Sequence, residues 1–133
     1  MNAGTYGLST VVSGFSASNY TFAAGADATV TINKATLTYT ADAKTKVYNS
    51  QPFTAFTSTI TGYMNGETAS VITGAVSYSG DATTARDAGT YAITPVLTAL
   101  SASNYSFAKG TDSSLVINKA LVTVTAEPKT KAY

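Results

Sequence analysis

Glu67, Asp81 and Asp87 are the acids of the central segment, and a carboxylate pair is the arrangement that can hydrolyse a glycoside without histidine. The chain has no histidine, so a serine or threonine nucleophile would lack its usual base. It has no cysteine either, which removes thiol chemistry, thiolate metal sites and disulfides. Each of the three acids sits in a turn-like context, where a carboxylate normally caps a turn and stays solvated. Gly80-Asp81 and Asp87 also lack the alternating acidic spacing of a calcium loop. We read no enzyme, no cofactor and no metal site from these residues.

Other side chains have sharper and blander readings. Asn19-Tyr20-Thr21 and Asn104-Tyr105-Ser106 match the Asn-x-Ser/Thr glycan acceptor pattern. Yet Tyr20 with Phe22, and Tyr105 with Phe107, alternate along one strand face as core aromatics do. Tyr6 and Tyr91 follow a glycine by two residues and lead alternating sets ending in Leu8 and Ile93; they read as core, with hydroxyls reaching a rim partner. Lys44 with Lys46, and Lys129 with Lys131, project from one side of an extended segment and suit a solvated edge that discourages strand addition. A lysine of the joint, Lys34 or Lys119, joined covalently to a core Asn or Asp is the sharper alternative.

The elements that must hold these residues are repeated. Ala3-Gly4-Thr5-Tyr6 recurs as Ala88-Gly89-Thr90-Tyr91, and the matches continue at the same offset of 85 residues to Tyr48 and Tyr133. The copies agree at roughly half of their positions, and a unit of this size can hold its own core, unlike solenoid units of roughly 20–50 residues. If a repeat starts where a new strand starts, residues 36–120 form one complete repeat, 1–35 the C-terminal part of a preceding one and 121–133 the first strand of the next. A permuted boundary, with a domain over about Asn2 to Arg86, fits equally well.

Ser and Thr exceed a quarter of the chain and charged residues make up 11%. Strand formers dominate, punctuated by Gly, Asn, Asp and Ser, and no segment carries a helical stripe. Expected strands are Thr5–Ser13, Asn19–Phe22, Ala28–Asn33, Thr36–Ala41, Phe53–Tyr63, Ala69–Tyr78 and Thr90–Leu97, then the second copies of the early ones. Asn65-Gly66 predicts a type I′ turn, because both central residues tolerate positive φ; Phe53–Tyr63 and Ala69–Tyr78 should then pair antiparallel. At the joint, apolar residues switch from even positions (Val30, Ile32) to odd ones (Leu37, Tyr39, Ala41), and Leu115, Ile117, Val122, Val124 and Ala126 repeat the switch. One repeat's last strand thus runs almost directly into the next repeat's first, which predicts a semi-rigid rod. A net charge of +1 gives no footprint for nucleic acid, and no apolar run reaches membrane-spanning length.

The motifs Ala88-Gly89-Thr90-Tyr91, Leu100-Ser101-Ala102-Ser103-Asn104-Tyr105 and Leu115-Val116-Ile117-Asn118-Lys119-Ala120, with Lys44-Thr45-Lys46-Val47-Tyr48, resemble the MBG and YDG repeat domains of large bacterial surface proteins. Asn49-Ser50 departs from the pattern, standing where such repeats commonly have Gly or Asp-Gly. The resemblance implies a mostly β, β-grasp-like domain strung in tandem in exported, adhesin-like or haemagglutinin-like proteins at the bacterial surface, with no catalytic residues. An immunoglobulin-like sandwich is the alternative fold. Three roles compete: a stalk or spacer whose partners are neighbouring repeats; a module binding glycans or host matrix, with Tyr39, Tyr63 and Tyr78 as first contacts; and a filament subunit that self-associates through its terminal strands. A spacer should keep those tyrosines buried or scattered, whereas a lectin-like module should expose two or more around one groove.

Overall fold

A computed structural model describes residues 1–133. It is mostly β, as expected. The strands are β1 (Gly4–Leu8), β2 (Ala28–Ile32), β3 (Ala35–Ala41), β4 (Lys44–Val47), β5 (Ser58–Thr61), β6 (Ser77–Ser79), β7 (Gly89–Val96), β8 (Tyr105–Lys109) and β9 (Ser113–Asn118). Two short 3₁₀ turns, Ala69–Val71 and Asp81–Thr83, precede β6 and β7. The chain forms two compact units, each from separated segments: Met1–Thr38, Ile60–Val76 and Leu97–Ala108 make the first, and Tyr39–Thr59, Ser77–Val96 and Lys109–Tyr133 the second.

In the first unit, β1 and β2 pair antiparallel, with Gly4 opposite Ile32 and Tyr6 opposite Val30. Residues 9–27 between them carry no strand. The expected strand Asn19–Phe22 is therefore absent, although its copy forms β8. The difference is one of partners: β8 lies beside β3 in the sheet ordered β5-β3-β8, and Asn19–Phe22 has no such neighbour. The Asn65-Gly66 turn is present, with φ of 54° and 74° and a 2.9 Å bond from the Glu67 N–H to the Met64 carbonyl. Its predicted hairpin is not: β5 pairs with β3, β6 pairs with β7, and most of Ala69–Tyr78 is a 3₁₀ turn and loop. Just after β5, Gly62 passes so close to β3 that, at its φ of 101°, a Cβ would stand 2.3 Å from the Thr36 carbonyl oxygen, so only glycine fits there.

The second unit holds a sheet ordered β4-β9-β7-β6. β7 runs antiparallel to β9 and to β6, whereas β4 runs parallel to β9, Lys44 opposite Leu115 and Val47 opposite Asn118. The parallel pair departs from the antiparallel sheets of an immunoglobulin-like sandwich. Ala41, Ala82, Ala85, Ile93, Leu115 and Ile117 form its buried core, with Phe53, Phe56, Tyr78 and Tyr91 packed against it. Phe53 and Phe56 reach that core from a loop rather than from the long strand expected over Phe53–Tyr63. Full burial of Ile93 and Leu115 stabilises the unit by about 1.5–3 kcal/mol each.

The repeat is visible in the register itself. Gly4 opposite Ile32 becomes Gly89 opposite Ile117, and Tyr6 opposite Val30 becomes Tyr91 opposite Leu115. The Tyr6 hydroxyl donates to the Asn2 carbonyl at 2.7 Å, and the Tyr91 hydroxyl to the Asp87 carbonyl at 3.0 Å. In both copies the ring folds back over the glycine two residues earlier; a Cβ on Gly89 would lie 3.0 Å from the Tyr91 hydroxyl. The Gly-x-Tyr spacing thus anchors the start of a strand, and the rim partner expected for these hydroxyls is backbone.

Candidate functional site

A polar grouping in the first unit is organised by Tyr105, which opens β8 and is 3% exposed. Its hydroxyl accepts the Met64 N–H at 3.0 Å and donates to the Glu67 carboxylate. The Asn65-Gly66 turn makes this possible, because it places residues 64 and 67 side by side. Donation to Glu67 raises the Tyr105 pKa above the usual phenol value, since the anion would lose that bond and face a second negative charge. The hydroxyl therefore stays protonated and serves as an anchor rather than a base. The Tyr63 ring meets the Tyr105 ring edge-on at 6.3 Å.

Around this anchor lies an open cavity of about 280 Å³ whose lining includes Asn2, Asn33, Asn65, Asn104 and Glu67. Asn104 ties it together: its Oδ1 accepts the Ala3 N–H at 2.9 Å, its Nδ2 donates to the Asn2 side chain at 3.2 Å, and its carbonyl accepts the Ala35 N–H at 3.0 Å. This Asn, part of one acceptor pattern, is thus committed to joining the N-terminal segment to the start of the next strand. Four carboxamides and a carboxylate offer donors and acceptors to a small polar ligand. Lys34 donates to the Ala102 carbonyl at 2.9 Å.

A second cluster belongs to the other unit. Asp42 accepts hydroxyl bonds from Thr57 at 2.5 Å and Thr59 at 2.8 Å, and Lys44 donates to Thr57 at 2.7 Å. The two hydroxyls, Thr57 first, hold the Asp42 carboxyl below its ordinary pKa, with Lys44 adding a smaller attraction. Lys46 turns to the Asn49 side chain and the Gln51 carbonyl. Both lysines lie on β4, the outermost strand of its sheet, half-buried and bonded to neighbouring groups.

Of the tyrosines singled out as ligand contacts, Tyr39 is buried in β3. Tyr63 is half-buried, and its hydroxyl is enclosed without a hydrogen-bond partner. Tyr78 is half-buried on β6, its ring 5.5 Å from Phe56 and its hydroxyl 3.0 Å from Ser58 Oγ. Tyr63 belongs to the first unit, Tyr39 and Tyr78 to the second. Asp81 opens a 3₁₀ turn and Asp87 lends its carbonyl to Tyr91. The role of Glu67 was missed; the Asn-Gly turn ending on it was the available signal, but its partner lies 38 residues away.

A family model described as the MBG domain (YGX type) matches residues 37–116, more than half of the chain. No curated protein and no solved structure gives a match. No helix is long and apolar enough to cross a membrane. With the repeated register and the matched span together, the chain belongs to the MBG domain family of the YGX type, whose members are repeats of bacterial surface proteins.

Proposed function

We propose that this chain is a non-catalytic, tension-bearing spacer of an exported, adhesin-like bacterial surface protein. The observation that carries the proposal is the direction of its strands. Over residues 36–120, the first strands are β3 and β4 and the last are β8 and β9. β4 is parallel to β9. The bonds from Ala35 N–H to the Asn104 carbonyl and from Gly110 N–H to the Tyr39 carbonyl make β3 parallel to β8 as well. Tension applied along a parallel pair of strands loads its hydrogen bonds in shear, whereas an antiparallel hairpin pulled at its open end yields one bond at a time. Engagement of Asp42 by Thr57 and Thr59, and of Glu67 by Tyr105, supports a structural use of the acids.

The carboxamide-lined cavity around Tyr105 favours a second reading, an adhesive module for glycans or host matrix. A glycan and extracellular-matrix panel separates the two, run with the native chain and with an Asn33→Ala, Glu67→Gln variant. The carboxamide introduced by Glu67→Gln retains an acceptor for the Tyr105 hydroxyl, so the fold is kept. The spacer predicts no specific retention by either protein. Specific binding by the native chain that is lost in the variant would establish the adhesive role instead.

A further inference from the structure

Ala3-Gly4-Thr5-Tyr6, Ser16-Ala17-Ser18-Asn19-Tyr20 and Ile32-Asn33-Lys34-Ala35 all recur without a change 85 residues later. In the fold the first and third of these, from one copy, meet the second motif of the other copy. Lys34 Nζ donates to the Ala102 carbonyl at 2.9 Å, the Ala3 N–H donates to Asn104 Oδ1 at 2.9 Å, and Asn104 Nδ2 donates to Asn2 Oδ1 at 3.2 Å. Asn2, Ala3 and Lys34 precede the family-matched span 37–116, whereas Ala102 and Asn104 lie within it. All five belong to the first compact unit. We infer that they form a clamp between successive repeats: Asn104 and the Ala102 carbonyl are a socket for the end of the β1–β2 pair of the preceding repeat, and they fix the joint.

Each repeat carries both halves of the clamp. Because Gly4 lies opposite Ile32, Ala3 and Lys34 emerge together at one end of the β1–β2 pair. Gly89 lies opposite Ile117 in the same way, so Ala88 and Lys119 emerge together from β7 and β9. A carboxamide suits the socket because it offers an acceptor and a donor at one place. Asp87 stands where Asn2 does, and its carboxylate can accept the bond that Asn104 Nδ2 gives to Asn2. The 3.1 Å hydroxyl contact between Thr36 and Ser106 does not recur, since Leu121 and Thr21 occupy those places; it belongs to the β3–β8 pairing rather than to the clamp. The covalent connection lies at the same spot, for β2 ends at Ile32, β3 starts at Ala35, and the Ala35 N–H donates to the Asn104 carbonyl. Clamp and linker thus leave the joint few ways to bend.

Because the chain has no cysteine, nitroxide labels on Thr29→Cys and Thr98→Cys, both exposed and both in the first unit, report on the joint. The expected result is one narrow distance distribution in the otherwise native chain, and a several-fold broader one with Asn104→Ala. Lys34→Met should broaden it too; this change removes the Nζ donor and leaves every bond within residues 37–116 in place. Asn104→Asp should stay narrow, because a carboxylate still accepts the Ala3 N–H and can accept the Asn2 amide. Amide exchange gives a second readout: with Asn104→Ala the Ala3 N–H should lose protection several-fold while the β7–β9 amides keep theirs. A broad distribution in the native chain, or a width unchanged by both Asn104→Ala and Lys34→Met, would overturn the inference. So would an Asn104→Ala variant that loses protection equally in β7–β9, since the residue would then act within the repeat rather than at the joint. None of these outcomes bears on the spacer proposal, which the binding panel tests separately.

Discussion

Ser50 carries the clearest local strain in the chain. It sits at φ 57°, a region that costs a non-glycine residue about 1–2 kcal/mol. Asn49 compensates by accepting the Gln51 N–H at 3.2 Å, and Arg86 donates to the Ser50 carbonyl at 3.2 Å. Ser50→Gly should therefore raise stability by about 0.5 kcal/mol, the relief of strain being partly offset by a more flexible unfolded chain; urea unfolding measures it. Asp42 makes a pH-dependent contribution whose sign is fixed. Its folded pKa lies below the unfolded 3.8, so its stabilisation is present above that pH and is lost as pH falls through the folded value. Urea midpoints followed from pH 5 downward should drop more for the native chain than for Asp42→Asn.

At the scale of elements, the 85-residue offset, the Asn65-Gly66 turn and the strands β2, β3 and β7 were legible in the sequence. So was the rim contact of the Tyr6 and Tyr91 hydroxyls, although only Tyr91 packs against a buried core and Leu8, in the set after Tyr6, is exposed. What alternation does not encode is the neighbour. Phe53–Tyr63 and Ala69–Tyr78 look like two arms of a hairpin, yet β5 of the first pairs with β3, and the second becomes a 3₁₀ turn leading to β6. The same blindness hid the parallel β4–β9 pair, and it made Tyr20 and Phe22 read as core although they are exposed at 78% and 47%. Candidate-site residues were harder still, since the Glu67–Tyr105 contact joins distant segments. The copies supply a controlled comparison. Ile93→Ala should cost about 2–5 kcal/mol through the cavity it leaves, whereas Leu8→Ala, at the same place in the exposed copy, should fall within about 0.5 kcal/mol of the native chain; paired denaturation curves check this.

For the whole molecule, the proposal turns on how force enters and leaves a repeat. On this proposal β3 and β4 would receive tension and β8 and β9 would pass it on; the two sets lie parallel, so resistance would reside in the pairing rather than in the size of the core. Single-molecule pulling with handles at Thr36 and Ala120, compared with handles at Ser77 and Val96 on the facing ends of the antiparallel β6–β7 pair, tests this most directly. The predicted result is a markedly higher unfolding force in the first geometry, with release of roughly 300 Å of chain at about 3.6 Å per residue. Equal or lower force at Thr36 and Ala120 would contradict a tension-bearing role.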